Sequence, residues 1–375
     1  MPDGTAASIA RPIAEENPRY LREQLITYIG SKRALLPFIG GAVERVRERL
    51  GRRRLSFLDI FAGSGIVSRY MKRHSSLIIA NDLEAYSRVT NACYLANAST
   101  LDLAAIASAC REIDALASRQ TRGGFIRELY APADAGDIKP GERVFYTTRN
   151  ACYLDAARQA IDAYPEAVRP FLLAPLLSEA SVHVNTSGVF KGFYKDGGVG
   201  RFGGRGANAL SRILGPIRLE APVLSEFECD LLVCQADANT LAPTLPEVDL
   251  AYLDPPYNQH PYGSNYFLLN LVVDYVRPAT ISRVSGIPDG WNRSGYNRRR
   301  EAAETLFRLV EGIKAKFCLI SYSSEGFIGH GEFLDMMRHI GEVEVCETPY
   351  NAFRGSRNLS GRPAKLTEFL YLIVK

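Results

Sequence analysis

The chain has 375 residues, 46% of them hydrophobic and 23% charged, a globular composition that excludes a mostly disordered or fibrous protein. Its 45 basic and 41 acidic side chains leave a formal charge of +4, too small by itself to demand a polyanionic partner. No uninterrupted apolar run approaches the roughly 20 residues that cross a bilayer, and the opening residues lack the apolar core of a secretory signal, so the reading is a soluble, cytoplasmic protein with no membrane partner.

Residues 1–20 are polar and mixed, with Pro12 and Pro18, and read as a flexible N-terminus. Leu35, Leu36, Ile39, Val43, Val46 and Leu50 recur at helical intervals and predict a helix over 33–50, with Gly51 as its stop. A buried strand follows over 55–61. Gly63-Ser64-Gly65 turns the chain into a helix over about 66–73, and a second short strand, 77–80, leads to Asn81-Asp82. Strand, turn, helix and strand in this order open a doubly wound α/β sheet, with a ligand expected at the carboxyl ends of the strands.

From about 83 to 227 the pattern loosens into helical stretches separated by irregular ones. Within it, residues 187–212 carry eight glycines, five basic residues and one acid, a flexible cationic segment rather than a core element. Sheet signals resume with strands at 231–234 and 250–253 and an amphipathic helix over 266–276. A helix at 302–313, a strand at 317–322, a helix at 332–340 and strands at 343–347 and 369–374 complete the pattern. Seven scattered cysteines without a C-x-x-C pair and five scattered histidines give no metal-ligand spacing.

Chemistry concentrates at Asp254-Pro255-Pro256-Tyr257, directly after the apolar strand ending at Leu253. Two adjacent prolines lack N–H donors and cannot continue a ladder, so they force a rigid turn at the strand's carboxyl end. That turn presents the Asp254 carboxylate and the Pro255 carbonyl as two acceptors, with the Tyr257 ring as a stacking surface. An aromatic amine is a poor nucleophile because its lone pair is delocalised; two acceptors on its N–H bonds favour a pyramidal nitrogen able to attack an electrophilic methyl. Standing alone, the tetrapeptide is a turn.

It is accompanied by Asp59-Ile60-Phe61-Ala62-Gly63-Ser64-Gly65, whose glycines let a backbone approach a ligand, and by Asp82, seventeen positions beyond Gly65, where an acid can take ribose hydroxyls. This pair suits NAD as well as S-adenosylmethionine. Ser68 at the place of the dinucleotide fingerprint's third glycine, and the absence of any pyrophosphate to cradle, favour the latter.

In order, these motifs resemble the D12 class of DNA N6-adenine methyltransferases, the Dam-like group. Tyr28-Ile29-Gly30-Ser31-Lys32-Arg33 resembles the N-terminal motif that encloses the cofactor's methionine part, and Asp59 to Gly65 resembles motif I, in which Phe61 and the glycines line the cofactor. Asp82 resembles the ribose-binding acid, Asp237 with Ala238 the site that contacts the cofactor adenine, and Asp254 to Tyr257 the catalytic motif IV.

The resemblance extends from about 25 to 375. It implies a Rossmann-like fold with a mixed seven-stranded sheet, a catalytic domain over 21–100 and 228–375, and a target recognition region inserted at 101–227. It further implies S-adenosylmethionine as cofactor, DNA as substrate, base flipping to bring adenine to the site, and a place in a restriction-modification system with a cognate endonuclease. Tyr262 and Tyr266 read as packing residues.

Three glycine-bearing cationic segments, 187–212, 291–300 and 351–365, suit phosphate contact with some base readout, with Lys191, Arg201, Arg205, Arg298 and Arg354 as candidates. The competing readings are adenine in RNA or cytosine N4 in DNA as acceptor, a nicotinamide-dependent oxidoreductase, and a non-catalytic DNA-binding subunit.

Overall fold

The computed structural model describes residues 15–351 and 365–375. Seven strands form one sheet: β1 (Leu55–Asp59), β2 (Ser75–Asp82), β3 (Asp230–Gln235), β4 (Val248–Leu253), β5 (Ala315–Ser323), β6 (Glu342–Asn351) and β7 (Lys365–Val374). Their order is β3-β2-β1-β4-β5-β7-β6. The five strands β1 to β5 are parallel, whereas β7 runs antiparallel to β5 and β6 antiparallel to β7. This is the mixed seven-stranded Rossmann-like sheet that the resemblance implies. The chain proceeds from β1 outward through β2 to β3, then returns to place β4 on the other side of β1. That reversal opens a crevice at the strands' carboxyl ends.

Side chains alternate across the sheet as strand geometry dictates. Phe57, Ile78, Leu250, Tyr252 and Leu319 point to one face and pack against Ile39, Val43 and Val46 of the helix Leu36–Leu50. Leu58, Ile79, Ala251, Leu253 and Ile320 point to the other and meet Leu306, Leu309 and Val310 of the helix Ala302–Gly312 and Phe333 and Met337 of the helix His330–Arg338.

A third apolar cluster gathers helices from both sides of the expected insertion. Tyr86 and Val89 from the helix Ala85–Tyr94 and Leu268 and Leu269 from the helix Phe267–Asp274 pack with Ile113, Leu154, Leu172 and Leu176 of three long helices between them, Leu103–Ala117, Thr148–Ile161 and Arg169–Val182. Residues 101–227 therefore share a core with the flanking chain. Within them a two-strand hairpin pairs Lys195–Asp196 with Val199–Gly200.

Several boundaries shift from the sequence reading. β1 ends at Asp59, before Phe61, because the Ala62 N–H turns to the Asn81 carbonyl at 2.8 Å. β2 extends beyond 77–80 at both ends, since Ser75 and Asn81 are buried although polar. The helix expected over 266–276 ends at Asp274, where Tyr275 adopts φ +48°.

Candidate active site

A cleft of about 670 Å³, partly open to solvent, lies at the carboxyl ends of the parallel strands. Tyr28, Phe61, Asp82, Glu84, Asp237, Asp254, Pro256 and Tyr296 all contribute to its wall. One cavity thus joins the strand-end acids to the tetrapeptide.

The glycine turn shapes this cleft through its neighbours. Gly63 has φ +52°, and a β-carbon there would stand 3.0 Å from the Tyr28 ring. Gly65 has φ +76°, and a β-carbon would meet Asn91 Oδ1 at 2.5 Å. Only glycine combines that backbone with that crowding. The Gly63 N–H donates to Asp82 Oδ2 at 2.8 Å, and the Ser87 hydroxyl to the Gly63 carbonyl at 2.6 Å. Phe61 packs its ring against that of Tyr296 at 5.1 Å, and Ser64 is buried within the turn.

Five carboxyls stand in or beside the cleft, and four of them, Asp59, Asp82, Glu84 and Asp254, are held against a desolvation cost. Asp59 lies behind the wall and is buried; the Ser68 hydroxyl donates to its Oδ2 at 2.6 Å, while its Oδ1 has no partner. Burial, with Asp254 and Asp82 nearby, pushes it up to about 7. Ser68 thus occupies the fingerprint's third-glycine position for a reason: its hydroxyl anchors Asp59. Asp82 is raised by burial against the N–H groups of Glu84 and Gly63.

Glu84, absent from the sequence reading, also lines the cleft; Asn270 donates to its Oε2 at 2.6 Å, and burial raises it to about 7. Asp237 Oδ1 caps the short helix Ala238–Leu241 by accepting the Thr240 N–H at 3.0 Å, with Ala238 beside it in the wall.

Neither lysine nor arginine lines the cleft among the described residues, so no fixed side-chain cation there faces a ligand. Acids placed for hydroxyl and amino groups, and a buried carboxylate oxygen lacking a donor, fit a nucleoside joined to a cationic group.

Asp254 follows β4 at the cleft's inner end, with 21% of its side chain exposed. Its Oδ1 stands 3.2 Å from Lys32 Nζ. Lys32 is buried and donates to Glu368 Oε1 at 2.7 Å, the same oxygen that accepts the Ser321 hydroxyl at 2.5 Å. Desolvation raises Asp254 to about 6, the Lys32 charge opposing the shift and Glu368 reinforcing it. Lys32 therefore sits behind the carboxylate, not in the cleft wall. Pro255 is buried and Pro256 faces the cleft. The Tyr257 carbonyl accepts the Phe327 N–H at 3.1 Å, and its ring stands edge-on to Tyr322.

Tyr28 stacks on Tyr262 at 5.1 Å and on Tyr266 at 4.9 Å. Tyr266 is buried packing, as its pattern predicts, but Tyr262 also lines the cleft. Gly30, at φ +72°, brings the N-terminal turn close to the Tyr262 and Tyr257 hydroxyls, and Ser31 leads into the turn that carries Lys32.

The basic candidates separate. Lys191 Nζ lies 3.2 Å from His260 Nδ1, tying the glycine-rich segment to the loop after the tetrapeptide. Arg201 pairs with Asp196 at 2.6 Å and Arg298 with Glu301 at 2.9 Å, while Arg205 is exposed. Arg354 lies outside the described residues. The segment 291–300 does more than offer charge: Asn292, Ser294, Tyr296 and Asn297 line the cleft, and Arg293 and Arg299 lie over Trp291 and Phe327.

No helix among the described residues is long and apolar enough to cross a membrane, and no cluster of three or more His, Cys, Asp or Glu is arranged for a metal.

Residues 28–279 match the family described as D12 class N6 adenine-specific DNA methyltransferase. The chain is 30% identical over 359 residues to Type II methyltransferase M.NlaIII of Neisseria lactamica, covering 93% of this chain and 99% of the relative. It is 29% identical to Type II methyltransferase M.CviAII of Paramecium bursaria Chlorella virus 1, covering 93% and 98%. Modification methylase StsI of Streptococcus sanguinis is 27% identical, with 92% of this chain matched to 51% of the relative.

Proposed function

The chain belongs to the D12 class N6 adenine-specific DNA methyltransferase family and is a site-specific adenine methyltransferase, and on that premise we propose that S-adenosylmethionine occupies the strand-end cleft and that Asp254 and Pro255 grip the target amine. The observation that carries the proposal is the continuity of one cavity from Asp82 and Asp237 to Asp254. When bound, the cofactor supplies a methyl group activated by a sulfonium.

In this reading Asp82 and Glu84 accept the ribose hydroxyls, Asp237 the adenine amino group, and Asp59 Oδ1 a donor from the cationic end. Tyr28 and Phe61 shape the apolar wall. The match to the methyltransferase family argues against NAD and an oxidoreductase. The intact tetrapeptide argues against a non-catalytic subunit.

Asp254 uses one oxygen for Lys32 and offers the other to the amine, while the Pro255 carbonyl takes the second N–H. Tyr257 stacks on the flipped base. The nitrogen attacks directly, with no covalent enzyme intermediate, so positioning and electrostatics carry the catalysis. The released amine proton passes to Asp254, which at about 6 is ionised near neutrality and, being partly exposed, returns it to solvent.

Residues 101–227 act as the target recognition region, within a catalytic domain of 21–100 and 228–375. The relatives' names, Type II methyltransferase and modification methylase, support a place beside a cognate restriction endonuclease.

The test is product analysis. Duplex DNA and RNA, each incubated with protein and labelled S-adenosylmethionine, are digested to nucleosides, and N6-methyldeoxyadenosine from the DNA is expected as the labelled product. Label only in N4-methyldeoxycytidine, or only in RNA, overturns the assignment.

A further inference from the structure

A buried lysine between two carboxylates stands directly behind the proposed amine-binding group. We infer that Glu368 is a positioning residue of the transfer reaction, fixing Lys32 so that the lysine holds one oxygen of Asp254 and leaves the other to the target amine. The inference rests on the role proposed for Asp254.

Three observations support it. The first is geometric: Lys32 stands closer to Glu368, at 2.7 Å, than to Asp254, at 3.2 Å, so its resting place is set by Glu368. The second concerns rigidity. Glu368 lies on β7 in register with Ser323 of β5, its side chain is 3% exposed, and the Ser321 hydroxyl locks the oxygen that Lys32 uses. The antiparallel arm of the sheet, none of whose described residues lines the cleft, thereby reaches the catalytic end of β4. A lysine has four rotatable carbons and three donors. Without that anchor it is free to take both Asp254 oxygens and compete with the amine.

The third observation is charge. Two carboxylates share one ammonium, so Asp254 is only partly neutralised. A carboxylate paired alone with Lys32 would be a weaker acceptor for an N–H bond that gains positive character during transfer. The groups that face Asp254 are Lys32, Glu368, Asp59, Tyr252, Tyr257, Tyr262 and Tyr350. Among these, Glu368 raises the carboxyl and Lys32 lowers it. Removing the Glu368 charge therefore moves the acid limb of kcat/KM toward lower pH, an effect that a merely structural side chain does not have.

The experiment compares wild-type protein with Glu368→Gln in single-turnover methyl transfer across pH, alongside S-adenosylmethionine affinity. The expected result is a transfer rate lower by roughly ten- to a hundredfold, an acid limb displaced to lower pH, and cofactor affinity within about twofold of wild type. An unchanged rate with an unmoved acid limb overturns the inference.

Should Glu368→Gln not fold, Ser321→Ala keeps every charge and loosens only the anchor: a slower transfer with an unmoved acid limb supports positioning, and an unchanged rate overturns it. Asp254→Ala, run in parallel, separates the two levels. If that variant is inactive while Glu368→Gln is normal, only this inference fails; if it remains active, the reading of Asp254 fails first.

Discussion

Asp59 illustrates how much one side chain can report. It is buried with one oxygen lacking a donor and raised to about 7. Its folded-state pKa stands above the unfolded value near 3.9, so the stability associated with its neutral form is present at low pH and lost as pH rises through about 7. Glu84, also raised to about 7, acts in the same direction. A bound cation beside Asp59 reverses the balance by favouring the carboxylate.

The ligand-free protein is therefore expected to bind S-adenosylmethionine more tightly as pH rises from about 5 to about 8, with proton release on binding. Calorimetry in buffers of different ionisation enthalpy measures that release. Asp59→Asn should reduce it, and equal release by wild type and variant would contradict the role. Asp59, Asp82, Asp237 and Asp254 were legible in the sequence because each stands at or just beyond the end of an apolar strand. Glu368 was not, because its contact with Lys32 spans 336 positions and no local pattern marks it.

At the scale of the element, polar residues inside buried structure explain where pattern reading stopped short. β2 looked four residues long because Ser75 and Asn81 interrupt its apolar run, yet Asn81 donates to the Ile60 and Ala236 carbonyls and binds three strand ends together. The segment 291–300 was legible as cationic but not as a wall of the cleft, since its inward residues Asn292, Ser294 and Tyr296 carry no periodic signal.

Two substitutions test the turns. Gly63→Ala, at φ +52° and against the Tyr28 ring, should destabilise the protein by about 1–2 kcal/mol and weaken cofactor binding through Tyr28; a melting temperature and affinity equal to wild type would refute the steric argument. Asp237 combines a cap and a proposed ligand contact. Asp237→Ala should cost about 1 kcal/mol of stability, whereas Asp237→Asn should keep the cap, and both should weaken cofactor affinity. Undiminished affinity in both variants would leave Asp237 as a helix cap alone.

For the whole molecule, the modest net charge conceals an uneven distribution. The catalytic cleft is acidic, and none of the described residues that line it is a lysine or arginine. Architecture was legible because strand, turn and helix signals recur in the order of a doubly wound sheet. The packing of 101–227 was not, because its helices share their core with residues 85–94 and 267–274, and single-sequence periodicity does not reveal which helices meet.

Arg201 and Arg298 already have carboxylate partners, which leaves Arg205 as the stronger phosphate candidate on the glycine-rich segment. Arg205→Ala should weaken binding similarly across DNA sequences and reduce the salt slope by about 1, with cofactor affinity unchanged. Identical slopes for variant and wild type would remove it from the interface.

The proposed grip of Asp254 on the target amine is tested most directly by single-turnover transfer from S-adenosylmethionine to adenine in duplex DNA, comparing wild type with Asp254→Ala. The variant should bind cofactor and DNA yet transfer methyl at least about a hundredfold more slowly. Near-normal transfer by Asp254→Ala would contradict the account.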